Sequence, residues 1–290
     1  MTFDDITEDG RLWAVRYDGE KDNALYTLFD QWNDVMWLRS FFKANWQDLT
    51  AYFKITDVNE AIEDTIEDSD KLQGIIMDIS PDANLDEIFH PLENFRTAEI
   101  LLGKEKARLK RQERHSSWLR IYAIKLSEGV YVITGGAIKL TLKMEEREHT
   151  RQELVKLEKV RSFLLNENII DDDGFVEYMN TIKSREANMN SIVQKLSEHK
   201  SSTPSRWREE AEFRAANKSW LRYSQHIAMM MLDKMEEQGL TQKSLAEKMG
   251  CSQQYVSKIL KGRENLSIET LCKIETALEL SLLPQMAEAY

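Results

Sequence analysis

Apolar and polar residues alternate with two different periods along this chain, and each change of period marks a change of element. Leu12–Tyr17 alternates as a short strand does. From Asn23 to about Phe53, Leu25, Leu28, Phe29, Trp32, Met36, Trp37 and Phe41 fall at helical spacing, which predicts one long helix with its tryptophans in the core. Asp57, followed three residues later by Glu60, opens a second helix that runs to about Met77. Residues 78–95 keep no period and are expected to be irregular. Three segments then read as strands: Glu99–Leu109, Ser117–Leu126 and Val130–Leu140. The last two are joined by Ser127-Glu128-Gly129, a tight hairpin turn. A charged amphipathic helix follows from Met144 to about Asn168, with Leu154, Leu157, Val160, Phe163 and Leu164 on one face. This order predicts an α+β domain over residues 1–168, a small antiparallel sheet with helices packed on one side.

Residues 169–217 read as a connection. Asp171-Asp172-Asp173-Gly174 ends the preceding helix, 169–185 look like linker, Glu186–His199 is a short helix and Lys200–Ser205 a polar break. Ser205 caps a further helix to about Asn217 that carries Glu209, Glu210 and Glu212. From Lys218 to the end the signals are helical, which predicts an all-α domain over 218–290. Trp220, Ile227, Met230, Met231, Leu232 and Met235 form an apolar stripe that stops at Gly239. Thr241 caps a helix over Gln242–Met249, Gly250-Cys251 turns the chain, and Ser252 caps Gln253–Leu260. Gly262 ends that helix and Ile268–Leu280 forms the last one.

Two short capped helices joined by a tight turn, the second with a polar exposed face, have the geometry that reads a DNA major groove. Gln253, Gln254, Tyr255, Ser257 and Lys258 lie at or near the start of the second helix, behind the cap Ser252. Glutamine offers adenine two hydrogen bonds in that groove. Lys258, Lys261 and Arg263 fall where phosphates would lie, and Gln242 is expected to bond a phosphate and brace Gln253. The run LTQKSLAEKMGCSQQYVSKILKGRENLSIETLCKIETAL resembles the Cro-type (XRE) helix-turn-helix family. That resemblance implies double-stranded operator DNA as a partner and binding as a homodimer.

A net charge of −11 argues against nucleic acid until its distribution is considered. Residues 1–100 carry −15, residues 101–170 carry +6 and residues 171–290 carry −2. The positive surplus comes from Lys104 to Lys125, so a locally basic surface sits in an acidic chain. No apolar run is long enough to span a bilayer, and the acidic start MTFDDITEDG is not a signal peptide. The two cysteines, Cys251 and Cys272, match no metal spacing and read as small buried hydrophobes in a reducing cytoplasm.

Within the basic stretch, Arg120 stands between Leu119 and Ile121 and so points away from the apolar face of its strand, with Tyr122 on the same face. The segments HSSWLRIYAI, GVYVITGGAIKL and EEREHTRQELVKLEKV, in this order of elements, look like the RelE/ParE/HigB toxin family. Many members are ribosome-dependent endoribonucleases that cut mRNA, and the ParE-like ones act on DNA gyrase. The resemblance implies a catalytic set of Arg120, Lys139, Arg114 and Tyr122. It also implies an RNA-binding set of Lys104, Lys106, Arg108, Lys110 and Arg111, and no metal or cofactor. The family's C-terminal tyrosine has no counterpart after Lys139, which leaves the general acid and base unassigned. Tyr122 reads equally well as core, and His115 and His149 as solvated surface.

Toxin followed by XRE-type antitoxin is the gene order of HigB-type systems, here within one polypeptide. The expectation is a cytoplasmic type II toxin–antitoxin fusion with an autorepressor C-terminus, mRNA on the ribosome as target, and an intramolecular toxin–antitoxin contact. In that contact Glu209, Glu210 and Glu212 would cover the basic surface. Two alternatives stay open: a transcriptional regulator whose N-terminal domain is a non-catalytic sensing or dimerisation module, and a gyrase poison.

Overall fold

The computed structural model describes residues 1–92, 101–109, 116–181 and 205–283. They form two compact units, neither contiguous in sequence: Met1–Phe29 with Asp68–Glu210, and Asp30–Glu67 with Ala211–Tyr290. Among the described residues no helix is long and apolar enough to cross a membrane.

The first unit is built on a six-stranded sheet. Its strands are β1 (Thr2–Asp5), β2 (Leu12–Arg16), β3 (Phe89–Pro91), β4 (Gly103–Ala107), β5 (Leu119–Ser127) and β6 (Val130–Ile138). They lie in the order β1-β2-β6-β5-β4-β3. The expected hairpin joins β5 to β6 through Glu128 and Gly129, where Gly129 takes a φ of +71° that a side chain disfavours. Two short edge strands, β1 and β3, arise where the sequence promised nothing regular. The sheet is mixed rather than antiparallel, because β2 runs parallel to β6 and brings the start of the chain against the middle of the domain.

Helices cover both faces of this sheet, not one. The reason is visible at Gly135 and Gly136, adjacent residues of β6. The Glu153 carboxylate of α4 (Glu148–Asn166) sits where a Cβ on Gly135 would be. A Cβ on Gly136 would collide with the Arg120 carbonyl oxygen and stand 2.8 Å from Leu28 Cδ1 of α1 (Ala24–Trp32). Such near-continuous apolar strands are what a sheet buried on both sides requires. On the α4 side Tyr122, Ile124 and Val132 pack against Leu157, Val160 and Leu164. The supposed linker contributes too. Residues 172–181 form a helix, α5, opened by Asp171, whose Oδ1 accepts from Gly174 N (2.8 Å). Its Phe175 is buried edge-on against Phe3 and Trp13 at 5.1 and 5.2 Å between ring centres. The helix expected over Glu186–His199 lies outside the described residues. The capped helix after Ser205 is present as α6 (Trp207–Ala216), with Ser205 Oγ accepting from Trp207 N (3.3 Å).

The long helix expected from Asn23 to Phe53 is broken. Asp34 takes an extended conformation, accepts from Trp37 N (3.0 Å) and so caps a separate helix α2 (Val35–Ala44). The helix predicted after Asp57 is α3 (Val58–Met77), and Asp57 Oδ1 accepts from Asn59 N.

The second unit contains α2 together with four C-terminal helices: α7 (Lys218–Glu237), α8 (Gln242–Met249), α9 (Gln253–Leu260) and α10 (Ile268–Leu278). Met231 and Met235 of α7, Leu245 and Met249 of α8, Val256 and Ile259 of α9, and Ile274 and Leu278 of α10 make its core. The buried stripe on α7 is wider than the one expected, adding Leu221, Ser224, Gln225, Ala228 and Met229, because residues 30–67 pack on this helix as well. Arg39 of α2 ties the two halves of the unit together. It donates to Asn59 Oδ1 (3.0 Å), Asp233 Oδ1 (2.6 Å) and Glu236 Oε2 (2.8 Å). Neither cysteine is a buried hydrophobe: both are free thiols, Cys251 half-buried and Cys272 exposed.

Candidate nucleic-acid interface

The helix-turn-helix is held by local chemistry. Thr241 Oγ1 accepts from Ser244 N (3.1 Å), Ser252 Oγ from Tyr255 N (3.2 Å) and Ser267 Oγ from Thr270 N (3.2 Å). Each satisfies a helix-start amide that would otherwise be orphaned. Gly250 ends α8 at φ +64°, which turns the chain into α9. Val256, Ile259 and Leu260 hold α9 to the core and leave Ser252, Gln253, Gln254 and Lys258 exposed and Ser257 half-buried. This is a polar, hydrogen-bonding helix face of the kind that enters a major groove.

Not every residue singled out in the sequence is free to join that face. Tyr255 turns to α10, its hydroxyl 3.3 Å from Thr270 Oγ1. Gln242 does not brace Gln253; its Nε2 lies 3.6 Å from the Met36 sulfur of α2. Arg263 donates to Asp30 Oδ1 (2.5 Å) and to the Asp30 carbonyl, and Lys261 Nζ lies 3.7 Å from Asp34 Oδ2. The Lys261 carbonyl accepts from Val35 N at 3.2 Å.

The first unit holds a second charged site, a cavity of about 830 Å³ lined by Lys104, Lys106, Arg108, Arg120, Tyr122 and Lys139. Strand register explains the convergence. Lys106 lies directly opposite Tyr122 across β4 and β5, and Lys139 N donates to the Trp118 carbonyl beside Arg120. Backbone carbonyls position the cations: Arg120 Nη1 donates to Ser117 O (2.8 Å) and Leu119 O (2.6 Å). Lys106 Nζ donates to Leu92 O (2.8 Å), and Lys139 Nζ to Thr141 O (2.8 Å) and Leu142 O (2.5 Å). Lys104 also pairs with the Glu158 carboxylate at 2.7 Å.

Burial sets the electrostatics. It pulls the Arg120 guanidinium down to about 10, with Arg108 adding to the fall. Lys106 and Lys139 are also held below the usual lysine value, first by burial and then by neighbouring cations. Burial pushes the Tyr122 phenol well above its ordinary value, and its hydroxyl has no hydrogen-bond partner among the described residues. Such a site attracts an anion and keeps a phenolic proton in place.

Arg114, Lys110, Arg111 and His115 lie outside the described residues. His149 is not in the cavity; its Nε2 is 2.9 Å from the Ile138 carbonyl. Glu209 and Glu210, expected to cover the basic surface, are not among the lining residues. Lys143 and Glu145 do line it, and sequence reasoning missed them. Lys143 lies in the turn after β6, and Glu145 in a short 3-10 helix, Met144–Glu146, that replaces the expected start of the amphipathic helix and re-aims its side chain. Among the described residues no group of His, Cys, Asp or Glu is placed to hold a metal ion.

No curated protein and no solved structure matches the chain. Residues 232–284 match the helix-turn-helix family model. With the caps, the turn and the exposed face of α9, this makes the C-terminal region an XRE-type helix-turn-helix domain that binds DNA in transcription regulation.

Proposed function

We propose that this chain represses its own promoter as a homodimer through the helix-turn-helix, and that its first unit is a RelE-like endoribonuclease acting on mRNA at the ribosome. The two halves then form a toxin–antitoxin fusion, with the nuclease held inactive in the resting chain. The observation that carries the reading is the meeting of Arg120, Lys139, Tyr122, Lys104, Lys106 and Arg108 in one cavity. Metal-independent RNA cleavage needs a base for the ribose 2′-hydroxyl, cations for the extra charge on phosphorus and an acid for the leaving 5′-oxygen. Arg120 and Lys139 supply the charge. Lys106, easier to deprotonate than an ordinary lysine, takes the 2′-hydroxyl proton as the 2′-oxygen attacks phosphorus. Tyr122 gives its proton to the departing 5′-oxygen, leaving a 2′,3′-cyclic phosphate.

The test uses the whole chain, because residues 30–67 belong to the second unit and a truncated N-terminal half would lose their partners. Purified protein is added to a cell-free translation reaction with and without its promoter duplex, and the mRNA is read by primer extension. New 5′ ends are expected in the arm with the duplex, where DNA engagement by the helix-turn-helix releases the nuclease, and none with Arg120→Ala. Intact mRNA in both arms sinks the nuclease reading and leaves the DNA-binding one standing.

One observation favours a second reading, in which the same unit is a non-catalytic sensing module. Tyr122 is fully buried, which suits a small phosphate-bearing ligand better than a polymer. Calorimetry with inorganic phosphate, followed by DNA binding with and without it, separates the two: a sensor binds phosphate, changes DNA affinity and cuts nothing.

A further inference from the structure

Lys261 and Arg263 flank Gly262, just past the end of α9, on the edge of the helix-turn-helix that would track the DNA backbone. Both are already engaged within their own unit by the start of α2 and the residues before it. Arg263 is paired with Asp30 through the carboxylate and the backbone carbonyl, and Lys261 faces Asp34 at 3.7 Å. The approach is close and fitted. A Cβ on Gly262 would stand 2.8 Å from Gln225 Cα and 3.0 Å from Val35 Cγ2, and φ there is +75°. Val35 N bonds the Lys261 carbonyl, so α2 is docked on this edge by its backbone as well as its charges. Gln242, also expected to meet a phosphate, is turned onto Met36 of the same helix.

We infer that Asp30 and Asp34 stand in for DNA phosphates: the segment leading into α2 is an acidic clamp on the phosphate-binding edge of the helix-turn-helix, and DNA must displace its carboxylates to bind fully. The inference rests on the reading that Lys261 and Arg263 meet phosphates. Lys258, on the groove-facing side of α9, lies outside the clamp. The resting chain therefore reads bases through α9 with its backbone contacts withheld. Whatever moves the Asp30–Val35 segment raises affinity for any duplex without touching base preference, because phosphate contacts carry no sequence information.

The experiment measures binding of the full chain to a random-sequence duplex by fluorescence anisotropy over a salt series. Asp30→Asn/Asp34→Asn removes the charges and keeps the fold. Asparagine caps a helix as well as aspartate does, and the Asp30 carbonyl is untouched. The expected result is about fivefold tighter binding, since partly exposed ion pairs restrain their cations by no more than about that factor each. The salt slope should steepen by about two, one unit for each cation returned to the backbone. Lys261→Gln/Arg263→Gln is expected to weaken binding. If it leaves affinity and slope unchanged, these residues do not meet phosphate and the underlying reading falls with the clamp. If it weakens binding but the aspartate variant gains nothing, the clamp alone is overturned. Glu237→Gln/Glu269→Gln removes the same charge from pairs with Lys234 and Lys273. An equal gain there would reduce the effect to net charge and also overturn the clamp. Circular dichroism and thermal melts check that each variant keeps the native fold.

Discussion

The two cation sets differ in what holds them. In the cavity of the first unit, Arg120, Lys106 and Lys139 all donate to backbone carbonyls, and burial holds each below its ordinary pKa. On the DNA-reading unit, Lys261 and Arg263 face carboxylates, which cancel their charge. The first arrangement concentrates positive potential in a recess. The second stores cations in a neutral form that an incoming polyanion has to outcompete. Equal charge on paper therefore means unequal readiness to bind, and net charge predicts neither.

The comparison breaks most sharply at Arg120. Replacing it with alanine is expected to weaken binding of a short oligoribonucleotide by about thirtyfold, from the loss of about 2 kcal/mol of charge-assisted hydrogen bonding. Thermal stability should hold or rise, since burial already works against the charged guanidinium. Equal affinity in wild type and variant would remove the cavity from consideration as an anion site.

Gly136→Ala attacks the framework instead. Its Cβ would strike the Arg120 carbonyl and Leu28, costing about 2 kcal/mol in urea unfolding through overpacking. Oligoribonucleotide binding should fall with it while duplex DNA binding stays. A variant as stable as wild type would show that the sheet has room there.

Lys258→Ala tests the uncancelled cation of α9. A loss of about fivefold in duplex affinity and a drop of about one in the salt slope are expected. An unchanged slope would mean that Lys258 points away from the backbone.

The smallest effect is on pH. Lys106 and Lys139 are depressed, so they lose their protons below the ordinary lysine value of 10.5. Anion affinity in the cavity should therefore decline as pH rises towards 10, by about threefold if one lysine titrates. Flat affinity over that range would show that neither lysine holds the anion.

What could be read from the sequence was local. The caps Thr241 and Ser252, the turn at Gly250 and the Glu128-Gly129 hairpin depend on residues a few positions apart, so local sequence specifies them. The alternation of Arg120 and Tyr122 placed them on a common face for the same reason. What escaped was long-range. The edge strands β1 and β3 exist through their partners, and the parallel pairing of β2 with β6 joins segments over a hundred residues apart. Asn33-Asp34 reads as an interruption only once Asp34 is seen capping α2. Nothing in residues 30–67 announces that they pack with the C-terminal helices rather than with the sheet.

That last arrangement bears on how the molecule is made. Arg39 meets Asp233 across 194 positions of sequence. At a synthesis rate of about 5–20 residues per second, α2 waits on the order of 10–40 s for α7 to leave the ribosome. During that interval Met36, packed in the finished protein against the core of the C-terminal helices, has none of them to cover it. The DNA reader is also completed only once Ile268–Leu278 has emerged, so a chain released before that point carries an incomplete helix-turn-helix core.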